Sequence, residues 1–160
     1  MPETNPAMPA AAHTALQPAP HAAAAPATLP DNPTPEEIRA FFACDRFATE
    51  AAGCRVVEGS RGHAVCEMEL RDVHRNATGN VMGGALFTLA DFCLAVACNI
   101  GEAPTVSVSN TIEYLSATRG TLLTAVCECT KSGRHLGFYT VSITDDTGKP
   151  IAHMTATCYR

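Results

Sequence analysis

The alternation of apolar and polar positions divides the chain into one short amphipathic helix, one long apolar helix and a run of strands. The short helix opens at Thr34-Pro35-Glu36-Glu37, where Thr at the N-cap, Pro at the first helical position and Glu at the third make a capping box. Ile38, Phe41 and Phe42 then supply one apolar face. Two strand-like stretches follow, Cys54 to Glu58 and His63 to Leu70, with Gly59-Ser60-Arg61-Gly62 read as the turn between them. A loop from Arg71 to Met82 leads into the long helix, Gly83 to Asn99. From Gly84 to Cys98 its only polar side chains are Thr88 and Asp91. A helix that is apolar all round has to be buried on nearly every side.

After Pro104 the pattern is strand throughout. Thr105 to Leu115, Leu122 to Lys131, His135 to Thr144 and Pro150 to Tyr159 are rich in Val, Ile, Thr and aromatic residues. Turns at Arg119-Gly120, Ser132-Gly133 and Asp145-Asp146-Thr147-Gly148 separate them. Short turns between consecutive strands predict an antiparallel meander. The faces Ala152-Met154-Ala156-Cys158 and Ala125-Cys127-Cys129 are small, which lets a helix lie close. The expectation is an α+β domain in which a curved antiparallel sheet wraps around one long central helix.

Residues 1–33 change the picture at the front of the chain. They hold 11 Ala and 8 of the 11 Pro, with no apolar periodicity, so they are expected to be a disordered tail before a folded domain at 34–160. The first Lys or Arg is Arg39, which leaves no targeting signal of the usual kind and predicts a cytoplasmic protein. A net charge of −5 disfavours nucleic acid and acidic membranes as partners. The long helix is too short to span a bilayer and carries Asp91 at its centre. Eight cysteines without a C-x-x-C pair read as buried reduced thiols, with no metal site expected.

Asp91 is the residue that asks for chemistry. A carboxylate in an apolar setting is unfavourable unless it is paired or its pKa moves, and Asp91 lies beyond the first turn where a helix dipole acts. A buried structural hydrogen bond and a functional carboxylate both fit. Gly83 and Gly84 open the same helix, where unpartnered N–H groups can receive a carbonyl or a phosphate. Close helix-to-sheet contact fits a glycine pair as well. Eight residues separate Gly83 from Asp91, about 12 Å along a helix axis. A base and an oxyanion donor must both lie within about 3 Å of the reacting group. One copy of the helix cannot supply both, whereas two antiparallel copies can, so a dimer with composite sites is expected.

His74–Asn99, "HRNATGNVMGGALFTLADFCLAVACN", resembles the signature of the PaaI-type hotdog-fold acyl-CoA thioesterases, whose pattern is roughly N-x-x-G-x-x-H-G-G, an apolar run and L-A-D. Thr105–Leu115 and Ser132–Ala152 match it too, and the likeness spans residues 34–160. The resemblance implies a hotdog fold, a homodimer or homotetramer with a continuous sheet, and hydrolysis of an acyl-CoA thioester without metal or other cofactor. Asp91 falls on the family's catalytic carboxylate, general base or nucleophile, and Gly83 on the backbone donor to the thioester carbonyl. Asn76 falls on the asparagine that places water or carbonyl, and Ser107 on a serine that assists the water. Ser109 and Thr111 share the face of Ser107 in a regular strand, so Thr111 is carried as a pocket residue. Gly84 and Met82 adjoin the carbonyl donor. Lys131, Arg134 and His135 flank one hairpin turn, where they can meet the phosphates of coenzyme A or form an ordinary solvated turn.

Met82 departs from the pattern, standing where the family has histidine, and methionine donates no hydrogen bond. The Gly83 N–H is unaffected by that change, and such donors carry much of the work in acyl transfer. His74, close to Asn76, reads as structural. Two rival functions remain: a hotdog protein that binds or senses acyl-CoA without turnover, favoured by Met82, and a hotdog dehydratase, which needs a catalytic histidine.

Overall fold

The computed structural model describes residues 28–160. Helix α1 (Pro35–Phe41) starts with the capping box complete: Glu37 N–H donates to Thr34 Oγ1 at 3.3 Å, and Thr34 N–H donates to Glu37 Oε2 at 2.7 Å. Ile38 and Phe42 are buried, and the Phe42 ring meets Phe92 edge-on at 5.8 Å, which ties the front of the domain to the long helix. A 3₁₀ turn (Phe42–Cys44) and a π turn (Phe47–Ala51) carry the chain into the sheet.

Six strands form one antiparallel sheet: β1 (Cys54–Ser60), β2 (His63–Glu69), β3 (Val106–Tyr114), β4 (Leu122–Ser132), β5 (Leu136–Asp145) and β6 (Pro150–Tyr159). Helix α2 (Gly83–Asn99) lies against its inner face, where Cys66, Met68, Leu123, Ala125, Cys127, Val141, Met154 and Cys158 are all buried. The α+β expectation of a sheet around one helix holds, and the small inner faces of β4 and β6 are where α2 approaches.

The meander expectation needs correction. The strand order is β1-β2-β4-β5-β6-β3, so of the four strands after Pro104 only β4, β5 and β6 follow one another as neighbours. Strand β3 crosses to the far edge and pairs with β6, while β4 returns beside β2. The crossover from β3 to β4 is pinned by buried Asp145, which accepts from the Thr118 hydroxyl at 2.7 Å and from the Lys149 N–H at 3.1 Å. The bond from Thr118, a second from the Thr147 hydroxyl and the backbone N–H of Lys149 hold its carboxyl well below the usual carboxylate range. Local propensity identifies a strand but not its neighbour, and here the pairing is long-range.

Two glycines in the first hairpin do different work. Gly62 makes the turn, with φ of +79°, which a side chain rarely adopts. Gly59 lies within β1 and is a contact: a Cβ there would come within 2.9 Å of Ile100 Cδ1 and 3.1 Å of Ile38 Cδ1.

The start of the fold is earlier than residue 34. Leu29 is buried, bridges Ile100 in parallel, and its carbonyl accepts from the Gly101 N–H at 3.3 Å. A single leucine in a Pro-rich stretch gives no periodicity, which hid this contact. The remainder of the expected tail, residues 1–27, lies outside the described residues.

Candidate active site

Helix α2 begins without a side-chain cap. Met82 is the N-cap, and its carbonyl accepts from the Ala85 and Leu86 N–H groups at 2.9 and 3.3 Å. Among the described residues nothing accepts from the N–H of Gly83 or Gly84, so two donors at the positive end of the helix point outward. Each glycine has its own surroundings. A Cβ at Gly83 would meet the Tyr114 ring at 3.0 Å, and the Tyr114 hydroxyl donates to the Gly83 carbonyl at 3.2 Å. Gly84 has no such neighbour: only Met82 Cε comes within 4 Å, at 3.9 Å. Close packing therefore accounts for Gly83 and not for Gly84. The Met82 side chain is 54% exposed beside them.

The helix is not buried on every side in one protomer. Gly84, Phe87, Thr88, Asp91 and Ala95 form an exposed or half-exposed stripe at spacings of three and four residues. Thr88 spends its hydroxyl on its own helix, donating to the Gly84 carbonyl at 2.9 Å. Asp91 is thus the one charged group on the stripe. Its Oδ1 accepts from Asn110 Nδ2 at 3.0 Å. Burial raises the Asp91 carboxyl above its ordinary 3.8, and the bond from Asn110 pulls the other way.

Strand β3 carries a bulge between Ser107 and Ser109, and it reassigns the strand's faces. Ser107 pairs with Cys158, Asn110 with Ala156 and Tyr114 with Ala152, so these three share the inner face with α2. Ser109 pairs with Thr157 and Thr111 with Thr155. Both line a shallow groove on the outer face with Thr130, Phe138 and Thr140, a cavity of about 190 Å³. The expectation that Ser107, Ser109 and Thr111 share a face is therefore overturned, and Thr111 does not reach the helix side. Asn110, on the face that meets α2, was not expected. A polar residue among inward positions is its signal, but the bulge conceals the register.

Asn76 organises the loop before α2. Its Oδ1 accepts from the Thr78 N–H at 3.0 Å, the Thr78 hydroxyl at 2.8 Å and the Asn80 N–H at 3.1 Å. Its carboxamide oxygen is thereby occupied within the loop. His74 is buried, with Nδ1 accepting from the Arg71 N–H at 2.9 Å and Nε2 donating to the Ala52 carbonyl at 2.9 Å. Burial lowers its pKa, and the neutral ring fits its structural reading. The Met82 N–H donates to the His74 carbonyl at 2.8 Å, which anchors the loop to the head of α2.

Lys131, Arg134 and His135 are exposed around the β4–β5 turn, and His135 stacks on Tyr159 with centroids 6.3 Å apart. That turn adjoins the Val106 end of β3, whereas Gly83 lies at the Tyr114 end. The two groups are not brought together within one chain. All eight cysteines are free thiols, and burial pushes the Cys54 thiol up to about 12. Among the described residues no three His, Cys, Asp or Glu side chains cluster as metal ligands, and no helix is long and apolar enough to cross a membrane.

Residues 78–152 match the thioesterase superfamily model. Human acyl-coenzyme A thioesterase 13 is 33% identical over 121 residues, which cover 73% of this chain and 86% of the relative. The chain belongs to the PaaI-type hotdog thioesterases. Within that family of thioester hydrolases, the solved PaaI protein of Escherichia coli superimposes with a TM-score of 0.73 at 25% identity, covering 79% of this chain and 92% of PaaI. A hypothetical thioesterase from Streptococcus pneumoniae, solved with coenzyme A, gives 0.68 at 26% identity over 74% of this chain and 94% of that one.

Proposed function

We propose that the protein hydrolyses an acyl- or aryl-CoA thioester to the free acid and coenzyme A at composite sites between two antiparallel copies of α2. The observation that carries the reading is the half-buried Asp91, the one charged group on the partly exposed stripe of α2. A carboxyl raised above its ordinary range is a stronger base than a solvated one, and it lies on the face left open for a partner. The nine-residue edge strand β3, exposed along most of its length, offers the backbone for a continuous sheet.

The thioester carbonyl oxygen takes the Gly83 N–H of one protomer. Asp91 of the other acts as general base toward water, or as nucleophile toward the carbonyl carbon. In the base route water adds to the carbonyl carbon and its proton passes to Asp91. Collapse of the tetrahedral intermediate breaks the C–S bond, and that proton goes to the departing thiolate. Asn76 turns its amide N–H groups toward water or carbonyl, and Ser107 on the inner face of β3 assists the water. Met82 and Gly84 form the wall at the head of the helix. Antiparallel copies also bring the partner's basic turn toward the Gly83 end, where Lys131, Arg134 and His135 meet the phosphates of coenzyme A. Thr111 lies on the outer groove, away from the helix side where Asp91 and Ser107 stand.

Met82 motivates a second reading, an acyl-CoA binder without turnover, since its side chain donates nothing to the thioester. A panel of acyl- and aryl-CoA thioesters, assayed for free thiol and for thermal shift, separates the two. Thiol release with at least one thioester supports hydrolysis. Stabilisation by several thioesters with no thiol from any of them supports the binder.

A further inference from the structure

We infer that Asn110 is a positioning residue for Asp91: it holds Oδ1 and leaves Oδ2 as the oxygen that meets water or the thioester. The inference rests on the catalytic reading of Asp91. Asparagine is a poor strand residue, and Asn110 stands on the inner face of β3 between Ser107 and the half-buried Ile112. Its partner on β6 is the buried Ala156. Among the described residues its side chain makes one hydrogen bond, the 3.0 Å bond from Nδ2 to Asp91 Oδ1, while its Oδ1 is buried with no partner. A purely structural amide would be expected to satisfy both ends, because an unpaired buried acceptor is costly. Here one end is fully committed to a single carboxylate oxygen.

The geometry has two effects. The carboxylate plane is fixed by a donor on a neighbouring strand, so the free oxygen has one orientation. The donor also favours the ionised form and opposes the upward push of burial on the Asp91 carboxyl. Among the other groups facing inward, Cys158 of β6 is drawn downward by the neighbouring Cys98 thiol of α2 and pushed the other way by burial and by the Asp91 carboxylate. Cys54 of β1, Cys127 of β4 and Tyr139 of β5 are pushed upward by burial, and Cys66 of β2 by its neighbour Cys93 and by burial, so all four stay neutral near pH 7.

Asn110→Leu and Asn110→Ala, the latter adding no bulk at the edge, test the assignment in the full chain. The Asp91 carboxyl is titrated by NMR with ¹³C-labelled aspartate, its resonance assigned through Asp91→Asn. Its pKa is expected to rise in both variants, and the acid limb of kcat/KM to move to higher pH with it. We expect kcat to fall about 10- to 100-fold with KM within a few-fold. In an Asp91→Asn background the same substitutions are expected to cost nothing further. An unmoved carboxyl titration overturns the inference, as does an equal loss of rate in the Asp91→Asn background. Failure of both variants to fold overturns it in favour of a structural amide. Should the wild type release no thiol from any thioester, the hydrolytic reading fails, while the carboxyl titration still decides what Asn110 does to Asp91.

Discussion

The Tyr114 ring lies over Gly83, with its hydroxyl 3.2 Å from the Gly83 carbonyl and its nearest atoms 3.0 Å from where a Cβ at Gly83 would stand. The end of β3 and the start of α2 are therefore fitted to one another at the proposed carbonyl donor. Gly83→Ala should push the ring aside and lower kcat/KM about tenfold, since a 1 Å misplacement near the chemistry can cost as much or more. Stability should hardly change, because alanine is the better helix residue. Tyr114→Ala in the Gly83→Ala background should then recover part of the rate. Steady-state kinetics of the two variants check this, and no recovery would mean that Gly83 itself, not the ring above it, sets the requirement.

Asp91→Asn should reduce hydrolysis by about 10²- to 10⁴-fold, the usual range for loss of a general base. The change in stability has a defined sign. A carboxyl raised on folding contributes stability below its ordinary 3.8, and that contribution is lost as pH rises through the raised folded value. The asparagine variant should accordingly melt above wild type at pH 7 to 8, with the difference closing near pH 4. Melting curves across that range measure it. Turnover within a few-fold of wild type would remove Asp91 from the mechanism.

Composite sites make a prediction about mixtures. Chains carrying Asp91→Asn, combined with chains carrying Gly83→Leu, should regain part of the lost activity. Each mixed dimer holds one site with both groups intact and one with neither. Reassembled dimers with distinct tags, isolated before assay, provide the test. Absence of recovery in verified mixed dimers would place the two groups on one chain or exclude one of them.

Met82 separates binding from chemistry. If the backbone donor and Asp91 carry the reaction, Met82→Ala should raise KM several-fold and leave kcat within about twofold. Met82→His should return a side-chain donor beside the carbonyl and raise kcat. A fall in kcat at constant KM for Met82→Ala would show that the division between backbone and side chain is drawn in the wrong place.

Leu29 gives the sharpest test of where the fold begins. It is buried against Ile100, so Leu29→Ala should destabilise the domain by about 2–3 kcal/mol, at the lower end of buried leucine truncations. Removal of residues 1–27 should leave stability and activity nearly unchanged, whereas removal of 1–33 should match or exceed the loss from Leu29→Ala. Denaturant unfolding of the three variants distinguishes these outcomes.

What could be read in the sequence was what local chemistry controls. The capping box at Thr34, the apolar run of α2 and the alternating strands each depend on residues a few positions apart, and each forms where expected. The family likeness of Asp91, Gly83 and Asn76 is likewise carried by one continuous stretch. What escaped depends on contacts between distant segments. Strand β3 shows the same composition whether it neighbours β4 or β6, and Leu29 has nothing local to mark its contact with Ile100. Asn110 was hidden for a third reason: counting by twos from Ser107 reaches Ser109 and Thr111, and the bulge breaks that count.

That bulge leaves Val108 without a partner on β6 while the pairing of its neighbours keeps its phase. Ser107 and Asn110, an odd number of positions apart, consequently read as successive inward residues. Length in β3 is thereby uncoupled from facing. Val108 occupies a slot that can be filled or closed without exchanging what the helix meets for what the outer groove meets. A chain one residue shorter at that slot would present the same inner surface. A chain of equal length with a regular strand would turn Ser109 toward α2 and carry Asn110 away from Asp91.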